Sequence, residues 1–290
     1  MSEYVDKSLF VPESEGLPQA DQFSKFSKFS TIIPPPMDNT VLLWRYIELA
    51  RLISMLSDKK LHFARADTFQ DRHEGSVTNP MKNALQSQFA DRPQIIRDLS
   101  EFRKKEMKES VFISCWCMGL EESEAMWKLY CGDKYGVAIT AIYKELDSCF
   151  TMHKVTMAPV KYINFQKHSF PQDNLLYPFF HKRLAFAHEK EVRIIKWCSD
   201  QMQSGEDSKK MTEEERKEHQ DEMQRRRELK SKRGMGISLE WDVDKFIRDI
   251  VVHPYAPEWY YNVVKQVVQK FTPQLIGKVQ WSSMKTEPIY

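Results

Sequence analysis

The stretch Phe112–Ile142, FISCWCMGLEESEAMWKLYCGDKYGVAITAI, constrains the fold more than any other part of the chain. FISCWCM sets Phe112, Ser114, Trp116 and Met118 against Ile113, Cys115 and Cys117. That alternation, rich in aromatic and β-branched residues, predicts a strand buried on at least one face. Gly119 ends it, and Ser123 is placed to cap a helix over SEAMWKLY, whose start carries Glu121, Glu122 and Glu124, where the helix dipole favours negative charge. Met126 and Tyr130 lie four apart with Trp127 beside them, so the helix is expected to turn an aromatic face inward. CGDKYG makes the turn into a second buried strand, GVAITAI. A strand–helix–strand this apolar is core, and its polar members, Ser114, Glu124 and Lys128, call for partners.

Around it the chain reads as one α+β domain from residue 41 to 290, with a mixed, mostly antiparallel sheet flanked by helices. VLLWRYI predicts a strand. Leu49, Leu52, Ile53 and Leu56 fall on one helical face ending near Asp58, and LHFARA is a short strand. The loop Asp67–Gly75 packs Asp67, Asp71, Arg72, His73 and Glu74 behind that strand, the usual setting of a binding loop. Met81–Lys108 is helical and broken by Pro93. KVTMAPVKYINF contains Pro159 and so belongs near a sheet edge. Glu191–Trp197 alternates as a strand, with Glu189 and Glu191 expected on one face of its entry. GISLEWDVDKFIRDIVVHP reads as strand, short helix, strand, and QLIGKVQWSS as a last strand. In the helix between them, Trp259, Val263, Val267 and Phe271 are expected to face in.

Two segments depart from this pattern. Residues 1–40 read as an N-terminal arm, with the repeat FSKFSKFS and the triplet Pro34-Pro35-Pro36, which favours extended polyproline backbone. Residues 201–233 are charged, with few apolar side chains, and read as an exposed helical insertion with Glu213 four before Lys217. Its clusters Arg225-Arg226-Arg227 and Lys230-Lys232-Arg233 are candidates for phosphate contact.

A net charge of +2 argues against a global preference for nucleic acid or anionic membrane. The five cysteines are an odd count without a CxxC, as expected of free thiols in a reducing cytoplasm. No apolar run reaches the roughly 20 residues of a membrane span, and the N-terminus has no signal pattern, so a cytoplasmic protein without a membrane partner is expected. Glycine-rich nucleotide motifs are missing, as is HExxH, so no metal is expected.

Four blocks together resemble one family. They are LWRYI with LISMLSDKKLHFARADTFQDRHEGS; FISCWCM with SEAMWKLYCGDKYGVAI; HKRLAFAHEKEVRII; and IRDIVVHPYAPEW. The chain from Leu43 to about Trp281 resembles the uncharacterised, mainly prokaryotic domain-of-unknown-function family 2971. Where that family usually shows Asn-Asp-Pro-Phe-Glu, this chain has Gln70-Asp71-Arg72-His73-Glu74, keeping Asp71 and Glu74 in place. The order of Arg45 on the first strand, Ser114 on a middle strand and a glutamate pair at a later one is also similar to ADP-ribosyltransferase folds. That likeness implies an NAD-consuming transferase, a role as a toxin or phage-defence effector, and an unidentified protein or nucleic-acid acceptor. It implies Glu191 and Glu189 as the catalytic acids facing a ribosyl cation. It assigns Arg45, Tyr46, Asp71, Glu74, Ser114, Trp116, Trp127 and Tyr130 to the cofactor, with Arg45 on the pyrophosphate and Trp127 or Tyr130 stacking the nicotinamide. The alternatives are a divalent-metal nuclease on Asp67, Asp71, Glu74 and Glu191, a nucleic-acid binder using the basic clusters, or a non-catalytic interaction module.

Overall fold

A computed structural model describes residues 38–171, 174–198 and 234–286, with isolated positions between 212 and 228. Nearly all of the expected arm and of the expected insertion lies outside these residues.

The described chain is α+β. β1 (Leu42–Ile47) leads through helix α1 (Leu49–Asp58) into β2 (Lys60–Arg65). Helices α2 (Asn79–Gln88) and α3 (Pro93–Glu101) follow, with Pro93 opening the second, where its missing N–H costs nothing. Next come β3 (Val111–Met118), α4 (Glu124–Cys131), β4 (Val137–Ile142), α5 (Tyr143–Cys149), β5 (Val155–Pro159), β6 (Lys161–Ile163), β7 (His181–Arg183) and β8 (Glu191–Trp197). The chain closes with β9 (Gly236–Glu240), α6 (Val243–Phe246), β10 (Ile250–Val252), α7 (Glu258–Phe271) and β11 (Val279–Trp281).

Nine strands form one sheet ordered β11-β10-β4-β1-β3-β2-β9, with β8 on the remaining edge of β3 and β5 beyond β8. Only β10–β11 is a parallel pair within it, so the sheet is mixed and mostly antiparallel. β5, which holds Pro159, has β8 as its single partner among the described strands, the edge position that proline tolerates. β6 and β7 make a separate parallel pair.

β3 is buried on both faces, as its near-continuous apolar run requires. One face packs Phe112, Trp116 and Met118 with Leu52, Met55 and Leu56 of α1 and Tyr260, Val264 and Val268 of α7. Each such side chain contributes about 1.5–3 kcal/mol when fully buried. The other face carries Val111, Ile113 and Cys117 under Met126 and Trp127 of α4 and under Phe179 and Phe180. The expected inward face of α7 is met in part: Val267 and Phe271 are half-buried against the core, but the buried stripe is centred one residue further along. Tyr260, Val264 and Val268 are buried, whereas Trp259 is 58% exposed. Pro257 holds extended backbone at the N-cap, and four-residue spacing alone leaves the neighbouring stripe equally apolar.

Candidate functional site

β3 is paired on one edge along almost its whole length: Val111 through Cys117 oppose Trp197 through Glu191 of β8. On its other edge it has two short partners. β2 holds its start, Ala64 opposite Ile113 and Arg65 opposite Phe112. β1 holds its end, Leu43 opposite Met118 and Trp44 opposite Cys117. Between these contacts β1 and β2 part, and Ser114, Cys115 and Trp116 have no ladder partner on that edge among the described residues. The sheet therefore splits, with α1 joining the diverging strands.

Arg45 stitches the split. Its Nη1 donates to Ser114 Oγ at 2.5 Å, its Nη2 donates to the His62 carbonyl at 3.1 Å, and its guanidinium lies 5.7 Å from the centre of the Trp116 ring. Both acceptors are neutral, and Arg45 has no carboxylate partner among the described residues. Burial brings its pKa down to about 10, and the like charge of Arg51 adds to this. A desolvated, uncompensated cation costs free energy that an anionic ligand would recover.

The split opens into a cavity of about 270 Å³. One wall is Trp44, Arg45, Tyr46 and Arg51, with His62 and Ala64 of β2; the floor is Ile113, Cys115, Trp116 and Cys117; the far side carries Tyr130, Glu189 and Glu191. Trp44, Cys117 and Glu191 stand in register across three strands, so the β1 and β8 walls are two strand spacings, about 10 Å, apart.

Behind the far wall lies a buried ion network. Arg193, fully buried, makes a bidentate pair with Glu74 at 2.6 and 2.8 Å, binds Glu191 Oε1 through Nε at 2.9 Å, and donates to the Phe179 carbonyl. Lys182 reaches Glu189 at 2.5 Å and Glu191 at 3.0 Å. Burial alone would raise the Glu191 pKa, but Arg193 and Lys182 outweigh it and hold the carboxylate at about 2. Glu189 is pushed up, first by burial and then by the charge of Glu191, with Lys182 opposing. The site thus offers one carboxylate fixed in its ionised form and one that takes a proton more readily. Burial, then Glu191, raises the Cys115 thiol well above its usual value, so it is a neutral lining group rather than a nucleophile. Burial also raises the Tyr130 hydroxyl, with Glu189 adding to it.

Of the residues singled out from sequence, Arg45, Tyr46, Trp116, Tyr130, Glu189 and Glu191 line this one cavity. The other four stand apart from its lining. Ser114 is fully buried and reaches the site only as the acceptor for Arg45. Glu74 sits behind the wall on Arg193, brought there by the left-handed turn at Gly75 (φ 64°), where a Cβ would overlap the Phe179 ring. Asp71 binds Arg183 at 2.8 Å. Trp127 is buried against Tyr46 and His253, and its indole donates to Glu122. The expected pleat relation of Glu189 and Glu191 is also corrected. Glu189 ends a 3-10 turn (Leu184–Glu189), Lys190 is left-handed (φ 42°), and only Glu191 belongs to β8. The two acids meet because Lys182 draws both.

Lys182, Arg193, Arg51 and His62 were not singled out. Arg193 had a readable signal, a charge on an apolar strand stripe two residues after an acid. Arg51 looks like any solvated helix residue, and its place at the cavity depends on the split. Among the described residues no helix is long and apolar enough to cross a membrane, and no group of three His, Cys, Asp or Glu residues is placed to hold a metal. All five cysteines are free. Searches against protein-family models, curated proteins and solved structures find no match for this chain.

Proposed function

We propose that the split-sheet cavity binds the nicotinamide–ribose part of NAD and that the protein is a cytoplasmic ADP-ribosyl-type transferase acting on an unidentified macromolecular acceptor, as the resemblance to ADP-ribosyltransferase folds implies. The observation that carries this reading is that a guanidinium without a carboxylate partner among the described residues, Arg45, and the ionised carboxylate of Glu191 both line one cavity, which they enter from opposite faces of the sheet at the split. Breaking the nicotinamide–ribose bond builds positive charge on the sugar, and a carboxylate locked in its ionised form stabilises that charge without rearranging. Glu189 is suited to take the proton of an incoming acceptor. Tyr130, half-exposed at the rim, offers a ring to stack on the nicotinamide. A volume of about 270 Å³ suits a nucleoside-sized group, at the lower end of the roughly 300–1,000 Å³ range of ligand pockets.

The metal-nuclease reading has less support. Asp67 is held by Arg65, Asp71 by Arg183 and Glu74 by Arg193, so three of its carboxylates are committed to separate arginines. The test is nicotinamide release from NAD by the full chain, with and without a chelator. Release unaffected by the chelator is expected. No release at saturating NAD overturns the transferase, and release abolished by the chelator points to metal chemistry.

A further inference from the structure

A second cavity of about 130 Å³ lies on the other side of Arg45 and shares Arg45, Ile47, Arg51 and His62 with the first. Its remaining lining is Ser54, Met55, Asp58, Lys60, Leu61 and Ser238. Cations outnumber acids here: Arg45, Arg51 and Lys60 face the single carboxylate of Asp58, which is engaged by the hydroxyls of Ser54 and Ser57. Arg51 has no ion-pair partner among the described residues. Its charge reaches both Arg45 and His62, lowering each, after the larger effect of burial. The His62 ring is set in place by Gly236, where any Cβ would overlap it, and Ser238 stands opposite His62 in the β2–β9 ladder.

We propose that this back chamber is a phosphate subsite built from Arg51, His62, Lys60 and Ser238, reached past Arg45. The ligand is then a phosphorylated nucleoside whose organic part fills the front cavity and whose phosphate or diphosphate passes through the split in the sheet. The proposal deepens the transferase reading and rests on it for the identity of the front group; the anion chemistry is its own. Guanidinium groups with free N–H donors, an imidazole and a hydroxyl converging on one small chamber match the acceptor oxygens and charge of phosphate. Arg45 gains in this arrangement the counter-charge that its protein neighbours do not supply.

The test is calorimetric titration of the full chain with inorganic pyrophosphate at pH 7, comparing wild type, Arg51→Gln, His62→Gln and a triple change of Arg225, Arg226 and Arg227 to Gln. Arg51 is exposed, so its variant should fold. One pyrophosphate per chain is expected, weakened about tenfold or more in Arg51→Gln, weakened in His62→Gln, and unchanged in the triple variant. Absent binding by wild type overturns the subsite, as does binding lost only in the triple variant. Pyrophosphate binding without NAD consumption keeps the subsite and removes the transferase. NAD consumption with a KM indifferent to Arg51→Gln keeps the transferase and removes the subsite.

Discussion

Glu191 is both the candidate catalytic acid and a buried structural ion, and the two roles make separable demands. Replacing it with Gln keeps the shape but removes one anion from between Arg193 and Lys182. Nicotinamide release should fall about 10²–10³-fold, the usual cost of losing one preorganised electrostatic contact. Stability should fall too, by roughly 1–3 kcal/mol in urea unfolding, because the variant leaves buried cations undercompensated. Glu189→Gln should cost less on both counts, since Glu189 already holds its proton more readily. Equal activity of Glu191→Gln and wild type would dismiss the acid. Acid titration gives a second expectation. Burial keeps His181 neutral, with its pKa near 4 despite a bond to the Tyr177 carbonyl, so its contribution is lost as pH falls from 6.5 toward 4. Glu191, held near 2, contributes above its ordinary value of 4.5 and loses that contribution below it. Glu189 is shifted upward and softens the decline. The urea midpoint should therefore drop below pH 6.5 and more steeply below 4.5; a flat profile to pH 3 would show that neither group is held as described.

At the scale of elements, strands and helices were legible where local patterning and packing agree. β3 and β8 announce themselves by alternation, β4 by its continuous apolar run, α1 by its apolar stripe, and α3 by Pro93. The phase of α7 was not, because two adjacent stripes of that helix are apolar and tertiary contact decides between them. Tyr260→Ala should cost about 3 kcal/mol or more, and Trp259→Ala less than about 1. Similar losses for both would restore the phase read from spacing. The short β7 and the turn that delivers Glu189 were also hidden, since three-residue elements carry no period. Tyr130 was expected to face inward like Met126 and also to serve the site; it is 45% exposed and lines the cavity, so the inward expectation does not hold for it.

For the whole molecule, the decisive feature is the split between β1 and β2, which no local pattern signals because it arises from two strands sharing one edge of β3. It lets Arg45 and Glu191 line one cavity, whereas Ser114, also chosen by strand order, meets the site only through Arg45, and Asp71, Glu74 and Trp127 are held by other partners away from the lining. The same sheet makes the 201–233 segment testable. Lys196, Phe112 and Arg65 stand side by side, and Arg65 donates to the Met235 carbonyl. The chain therefore leaves and re-enters the sheet about three strand spacings, roughly 15 Å, apart. Replacing Ser204–Lys232 with a short glycine–serine bridge easily spans that gap and should leave the urea midpoint and slope unchanged; a large fall would show that the segment packs on the core. The most direct measurement is a crystal structure of the full chain grown in saturating NAD. The account predicts the nicotinamide ribose between Arg45 and Glu191, the nicotinamide against Tyr130, and the phosphates on Arg45 and Arg51. NAD bound elsewhere, or an empty split in the sheet, would contradict it.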